Sequence, residues 1–343
     1  MSDRALLEQL WWSDAALPVL ARSALAPVGM VYGGLVALRG ALFDAGVLRA
    51  RPTAIPAISV GNLSVGGTGK TPVAAWVAAA LAARGAHPAI ILRGYGEDEP
   101  LVHRELNPGV PVVTAPDRVA GTVRARALGA DVAVLDDGFQ HRAAQRVCDM
   151  VLVSADRWPR RWRLLPAGPM REPLDALRRA SLAVVTRKAV PADDARRVAD
   201  AIAAAVPSCP VAIVHLAIDE LRGTGGAREP LAMLRGRAVL AIASIADPRT
   251  FVAQLAGAGA RAEVASFADH HEFSEGDVTR LTRAAAGPGL AVCTLKDHVK
   301  LAPLWPRGAA PLWYVSQRVD VERGAEAIEA CLATVLRARP THS

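Results

Sequence analysis

The chain has 343 residues, 52% hydrophobic and 21% charged, a composition that buries a core and excludes an intrinsically disordered chain. Its net charge of +7 suits anionic partners such as a nucleotide, a phosphorylated sugar or phospholipid headgroups. No long basic run occurs, so no nucleic-acid partner is expected, and nothing points to an obligatory protein partner.

Residues 1–45 read as an apolar, membrane-associating segment. Leu6, Leu7, Leu10, Trp11 and Trp12 open an apolar stripe, and 16 uncharged residues, Ser23–Leu38, follow between Arg22 and Arg39. That stretch is short of the about 20 residues a spanning helix needs, and it holds Pro27. One or two helices lying in or against a membrane interface, with Trp and Arg as anchors, fit better. A helix packed on the protein's own core would have the same composition.

From Ala54 short apolar runs alternate with helical stretches. Strands are expected at Ala54–Val60, Pro88–Leu92, Val132–Leu135, Asp149–Val153 and Leu182–Thr186, with helices at Thr71–Arg84 and Arg118–Leu128. This is the alternation of a parallel α/β sheet. A second series begins near Ala238. It has strands at Ala238–Ala243, Ala262–Phe267, Leu290–Leu295 and Leu312–Val315, and helices at Pro248–Ala256, Glu275–Ala286 and Val321–Arg337. The expected fold is therefore α/β: a P-loop NTPase-type parallel sheet domain over 46–215 and a smaller α/β domain over 230–338. Their boundary is placed between Pro207 and Arg237. Cys148, Cys209, Cys293 and Cys331 lie far apart, without a C-x-x-C pair. They read as buried apolar residues, not as a disulfide framework.

Strand, loop and helix meet at Val60-Gly-Asn-Leu-Ser-Val-Gly-Gly-Thr-Gly-Lys-Thr71. Glycines let successive backbone N–H groups turn toward phosphate oxygens, and the following helix adds the positive end of its dipole. Ser64, Val65, Gly66, Gly67, Thr68, Gly69, Lys70 and Thr71 are the expected ATP-binding residues. Lys70 would reach the β- and γ-phosphates, and the Thr71 hydroxyl would bind Mg²⁺. Ser64 stands where the full pattern has glycine. The remaining Gly-Gly-Thr-Gly-Lys-Thr resembles the core of the P-loop subclass that includes the partitioning ATPases, without that subclass's extra lysine. An acid at the end of a nearby strand should accompany the loop, and Asp136-Asp137 after Val132–Leu135 supplies it. A P-loop leaves the acceptor open.

Further strings stand outside the P-loop: Arg93-Gly-Tyr-Gly96, Asp98-Glu-Pro100, Asp136-Asp-Gly-Phe-Gln-His141, Leu165-Pro-Ala-Gly-Pro-Met-Arg-Glu-Pro173, Asp269-His270-His271 and Leu295-Lys-Asp-His-Val-Lys-Leu301. With the P-loop, and in this order from about residue 5 to about residue 335, the chain resembles the tetraacyldisaccharide 4′-kinases. The resemblance implies transfer of the ATP γ-phosphate, with Mg²⁺, to the 4′-hydroxyl of an acylated disaccharide 1-phosphate in lipid A biosynthesis. It also implies a place on the cytoplasmic face of the bacterial inner membrane. By the same resemblance Asp98 and a histidine, His270 or its neighbour His271, form the base toward the sugar hydroxyl. Asp136, Asp137 and Glu172 act at the metal, and Arg171 stands near the phosphates. Lys296 and Asp297 are expected to shape a turn. Only Glu97 separates Gly96 from Asp98, where the family has a longer connection. Two rivals remain: a switch- or chaperone-type NTPase without a sugar acceptor, and an inactive membrane-bound relative.

Overall fold

The computed structural model describes residues 7, 10–94, 96, 98–245, 247–269 and 271–339. Two apolar helices come first, α1 (Ala16–Ala24) and α2 (Ala26–Asp44). Strands and helices then alternate: β1 (Ala57–Asn62), α3 (Lys70–Ala82), β2 (Pro88–Leu92), α4 (Asp98–Leu106), β3 (Val112–Thr114), α5 (Arg118–Ala127), β4 (Val132–Asp136), β5 (Cys148–Ser154), β6 (Leu182–Arg187) and α6 (Ala192–Ala205). The chain continues through β7 (Val211–Gly223), β8 (Arg228–Pro230), β9 (Ala238–Ala243), α7 (Pro248–Gly257), β10 (Arg261–Ser266), α8 (Glu275–Ala286), β11 (Ala291–Cys293), α9 (Leu295–Leu301), β12 (Leu312–Arg323) and α10 (Ala325–Arg337).

The described strands join one sheet in the order β10-β9-β11-β12-β7-β6-β5-β1-β4-β2-β3, with β8 beside β7. Pairing is parallel except where β7 meets β12 and β8. The fold is α/β, as expected. Runs such as Val132-Ala-Val-Leu are buried on both faces because helices cover both sides of the sheet. On one face Val73, Val77 and Leu81 of α3 and Ile328, Leu332 and Val335 of α10 pack on Ile58, Val134 and Leu152. On the other, Val198 and Ile202 of α6 pack on Val151, Val153 and Val185. Beyond β12, α7 and α8 cover opposite faces in the same way.

Several elements differ from expectation. The stretch expected to hold the boundary contains β7, 13 residues long, paired antiparallel with β12. β12 continues to Arg323, so the last helix starts at Ala325 and not at Val321. The run expected as a strand at Leu290–Leu295 is a strand only to Cys293; Thr294 then caps α9, its hydroxyl accepting from the Asp297 amide at 3.2 Å. Asp98-Glu-Pro opens a helix, α4, that was not expected. All four cysteines are buried and unpaired.

Gly61, near the end of β1, lets the segment after β4 close over the sheet. A Cβ there would lie 2.5 Å from Phe139 Cβ and 2.8 Å from the Phe139 amide nitrogen. Phe139 is fully buried. Gly61→Ala should therefore destabilise the protein by about 1–3 kcal/mol, read as a lower urea midpoint with unchanged slope.

Candidate active site

The P-loop runs from Leu63 to Gly69 between β1 and α3. Gly66, Gly67 and Gly69 hold φ of 77°, 59° and 83°, a region L-residues with a Cβ rarely enter. At Gly69 a Cβ would also fall 2.2 Å from Leu216 Cδ1. The loop is braced from outside. The Thr186 hydroxyl donates to Thr68 O at 2.9 Å, and the Lys188 ammonium donates to Gly67 O at 2.9 Å, both from the carboxyl end of β6. Asn62 Nδ2 donates to Thr68 Oγ1 at 3.0 Å. Burial pushes the Lys188 ammonium below its usual range.

The Pro-Ala-Gly-Pro-Met-Arg-Glu string lies against the first half of this loop. The Val65 amide donates to Pro169 O at 2.8 Å and the Arg171 amide to Leu63 O at 2.7 Å, with Ser64 bridged to Met170. The Val65 amide is thereby engaged. The string carries Arg171 and Glu172 to the end of β4.

There Asp136 and Asp137 part company. Asp137 sits at φ 55°, its amide donating to Val60 O at 2.9 Å. Its carboxylate meets Arg171 Nη1 at 2.9 and 3.1 Å and Lys70 Nζ at 3.7 Å. Burial alone would raise the Asp137 carboxyl, but Lys70 and Arg171 outweigh it and hold it below the usual carboxylate range. Asp136 is buried and turns the other way, Oδ2 lying 2.9 Å from Nε2 of His103 on α4. Its Oδ1 has no hydrogen-bond partner.

Gln140 ties these strands of the site together. It donates to Asn62 O at 2.8 Å and Glu172 Oε1 at 3.1 Å, and accepts from Arg171 Nη1 at 3.3 Å. Glu172 is also held by Arg179, and its carbonyl accepts from Trp162 Nε1 at 3.0 Å.

On the far side α9 packs against α4. Asp98 is buried at the start of α4, and Lys296 Nζ of α9 lies 3.7 Å from Asp98 Oδ2 and 3.4 Å from Asp269 Oδ1. Lys296 thus does more than shape a turn: it joins carboxylates from both halves of the chain. Asp297 is structural. It accepts from the Ser244 amide at 3.1 Å, from the Ser244 hydroxyl and from Thr294 Oγ1 at 2.7 Å, and burial pushes its carboxyl up. His270 lies outside the described residues. His271 is tied to Asp277 Oδ2 at 3.1 Å and stacked on Phe267 with ring centroids 4.7 Å apart, which leaves it a packing residue.

The structure therefore brings Lys70, Asp137 and Arg171 into one cluster beside the P-loop, with Glu172 linked to it through Gln140. It places Asp98 at the start of α4, against Lys296 of α9. His103, Gln140, Lys188 and Lys296 were not assigned site roles from sequence. Each acts through contacts between residues at least 27 positions apart, which no local pattern records.

The helix α2 is stitched to the same cluster. The Tyr32 hydroxyl donates to Arg171 O at 3.0 Å, Arg39 donates to Gln140 O at 3.1 Å and Arg142 donates to Gly40 O at 3.0 Å. The Arg39 and Arg142 guanidiniums sit over the Phe43 ring at 5.1 and 4.9 Å.

A glycine-rich phosphate loop on a doubly wound sheet, with a lysine opening its helix and acids ending the adjacent strand, defines a nucleotide-binding protein of the P-loop class. A sequence model described as tetraacyldisaccharide-1-P 4′-kinase (LpxK) matches residues 21–100 and 97–337. The chain belongs to that family. A tetraacyldisaccharide 4′-kinase of Anaeromyxobacter dehalogenans strain 2CP-1 is 40% identical over 96% of this chain and 95% of its own. One of Geobacter metallireducens is 38% identical over 84% and 91%. A crystal structure of LpxK from Aquifex aeolicus in complex with ATP superposes with a TM-score of 0.69 at 27% identity, covering 93% of this chain and all of that one. The two family matches meet at residues 97–100, where only Glu97 separates Gly96 from Asp98. The alignment with the A. dehalogenans protein runs over 361 positions, so that relative has residues this 343-residue chain lacks.

Proposed function

We propose that this protein transfers the γ-phosphate of ATP to the 4′-hydroxyl of a tetraacyldisaccharide 1-phosphate, in lipid A biosynthesis. The observation that carries the reading is the placing of two charged clusters about α4 in a member of this family. Lys70, Asp137 and Arg171 gather at the P-loop, and the buried Asp98 meets Lys296 of α9. On this reading Ser64–Thr71 form the nucleotide loop. Because Pro169 takes the Val65 amide, the phosphate cradle falls to Gly66–Thr71. Lys70 and Arg171 stabilise charge on the transferring group. Asp98, with His270, orients the sugar hydroxyl and accepts its proton.

Mg²⁺ fits the donors present. Thr71 opens α3, and Asp136 keeps a buried oxygen without a hydrogen-bond partner. Asp137 and Glu172 complete the acidic set. Among the described residues no group of three or more His, Cys, Asp or Glu forms a closed metal cage, as suits a cation held largely by phosphates, waters and one or two carboxylates. When bound, it neutralises charge on the β- and γ-phosphate oxygens.

The chain is read as two lobes, 46–215 and 230–338, meeting along β7 and β12, with residues 1–45 docking on the cytoplasmic face of the inner membrane. What supports docking is α2: an apolar helix of 19 residues, with Gly29 its buried residue and Met30, Val31, Leu35 and Leu38 all more than half exposed. Its opposite side is hydrogen-bonded to the protein, which favours lying along the interface over crossing it. Trp11, Trp12 and Trp158 line an adjacent cleft of about 490 Å³ with Arg22, Arg160 and Arg163, a pairing suited to anionic headgroups. Deleting residues 1–40 would also remove Tyr32 from Arg171, so exposed substitutions are the cleaner test. Val31→Glu with Leu35→Glu should weaken vesicle partition by about a hundredfold, about 3 kcal/mol for two buried aliphatic side chains, and spare ATP binding. Unchanged partition in a flotation assay would refute interfacial docking by this face.

Labelled γ-phosphate from ATP, offered with the acylated disaccharide monophosphate in detergent, tests the reaction itself. Label in the lipid product is the expected result. Hydrolysis without lipid product would favour the switch-type NTPase, and neither outcome but retained ATP binding would mark an inactive relative.

A further inference from the structure

We propose that His103 is the positioning residue that sets the Asp136 carboxylate for Mg²⁺. This rests on the reading of Asp136 as a metal-side carboxylate. Both side chains are buried, His103 completely. The imidazole Nε2 lies 2.9 Å from Asp136 Oδ2, which occupies one carboxylate oxygen and fixes the plane of the group. The other, Oδ1, is buried without a hydrogen-bond partner. A buried carboxylate oxygen left in that state is unfavourable unless a cation completes it.

No neighbouring cation hydrogen-bonds that oxygen. Arg118 is buried beside Asp136, but its guanidinium donates to the backbone carbonyls of Asp136 at 3.2 Å and Ala115 at 2.8 Å. Lys70 and Arg171 are engaged with Asp137. Asp136 pairs with Val60 in the β1–β4 register, so its carboxylate stands at the strand end from which the P-loop departs. A side chain that orients a metal-binding carboxylate from behind is a recurrent feature of metal sites.

The position of His103 on α4 adds a second consequence. Asp98 and His103 are five residues apart, about 140° around the helix. One meets Lys296 of α9 and the other meets Asp136 of β4. One short helix thereby ties the acceptor-side carboxylate to the metal-side carboxylate, and the two cannot shift independently.

The test compares two polar replacements in the full-length protein. The amide nitrogen of His103→Gln can take the place of Nε2; that of His103→Asn is one methylene short. Mn²⁺ affinity is read by electron paramagnetic resonance with a non-hydrolysable ATP analogue bound, and analogue affinity is read separately in chelator. His103→Asn should bind Mn²⁺ about 10–100-fold more weakly, with His103→Gln within about threefold of wild type and metal-free analogue affinity unchanged in both. A merely structural histidine would lower the melting temperature of both variants without separating them in Mn²⁺ affinity, and that result overturns the proposal. Asp136→Asn serves as the control. If it leaves Mn²⁺ affinity unchanged, the metal-side reading of Asp136 fails and takes the proposal with it, while intact analogue binding would leave the nucleotide site standing.

Discussion

Lys70→Ala should lower phosphoryl transfer by at least about a thousandfold, about 4 kcal/mol of transition-state stabilisation, and leave the fold intact. Lys70 opens α3 directly after the P-loop glycines, and on the proposed reading its ammonium stands where charge builds on the β- and γ-phosphate oxygens. Little stability depends on it. Its contact with Asp137 is long, at 3.7 Å, and partly open to solvent, and such pairs contribute little to folding. Asp137 would keep its closer partner, Arg171. Loss of Lys70 should let the Asp137 carboxyl move back toward its ordinary range, since Lys70 is one of the charges holding it down. Turnover in the radiolabel assay and a thermal melt together decide the matter. Wild-type turnover in a folded Lys70→Ala protein would remove the P-loop from the donor site.

Sequence legibility follows the range of the interactions. The P-loop can be read because its chemistry is local: glycines, lysine and threonine lie within a single turn between a strand and a helix. The acids after β4 can be read because an apolar run ending in Asp136-Asp137 is also local. What those acids do is not legible. Asp136 meets a histidine 33 residues away and Asp137 an arginine 34 residues away. Nothing in the run itself says that the two adjacent carboxylates face different partners.

The missed elements have similarly physical causes. Asp98-Glu-Pro suggests a loop because proline breaks helices, yet in the first turn a proline lacks only an amide that has no partner there. That one error hid α4, and with it His103. The 13 residues of β7 resemble a linker because they end at Gly223 and run straight into Thr224-Gly225-Gly226. Their pairing with β12 is a long-range choice, and strand preference of this kind depends on the neighbour more than on the segment. The resemblance to the family supplied the acceptor, which neither the P-loop nor the sheet could indicate.

Asp98→Ala should lower turnover by about 100–10,000-fold while ATP affinity stays within about twofold of wild type. The separation follows from the architecture. Asp98 stands at the first residue of α4, its carboxylate beside Lys296 of α9. Asp98 lies on a separate element from the loop residues 64–71, so its removal should leave the proposed phosphate cradle in place. Lys296 would keep Asp269 as a partner, so the ammonium is not stranded and the helix pair α4–α9 should hold. Asp98→Asn refines the result, since an amide preserves shape but cannot accept the sugar proton. If Asn is as impaired as Ala, Asp98 works as a base; if Asn recovers most of the rate, it works by orientation. Only Glu97 separates Asp98 from Gly96, so the test bears directly on the segment that the family resemblance expects to be longer. Full turnover in both variants would show that another group deprotonates the acceptor, and would return the shortened segment to the status of a simple loop.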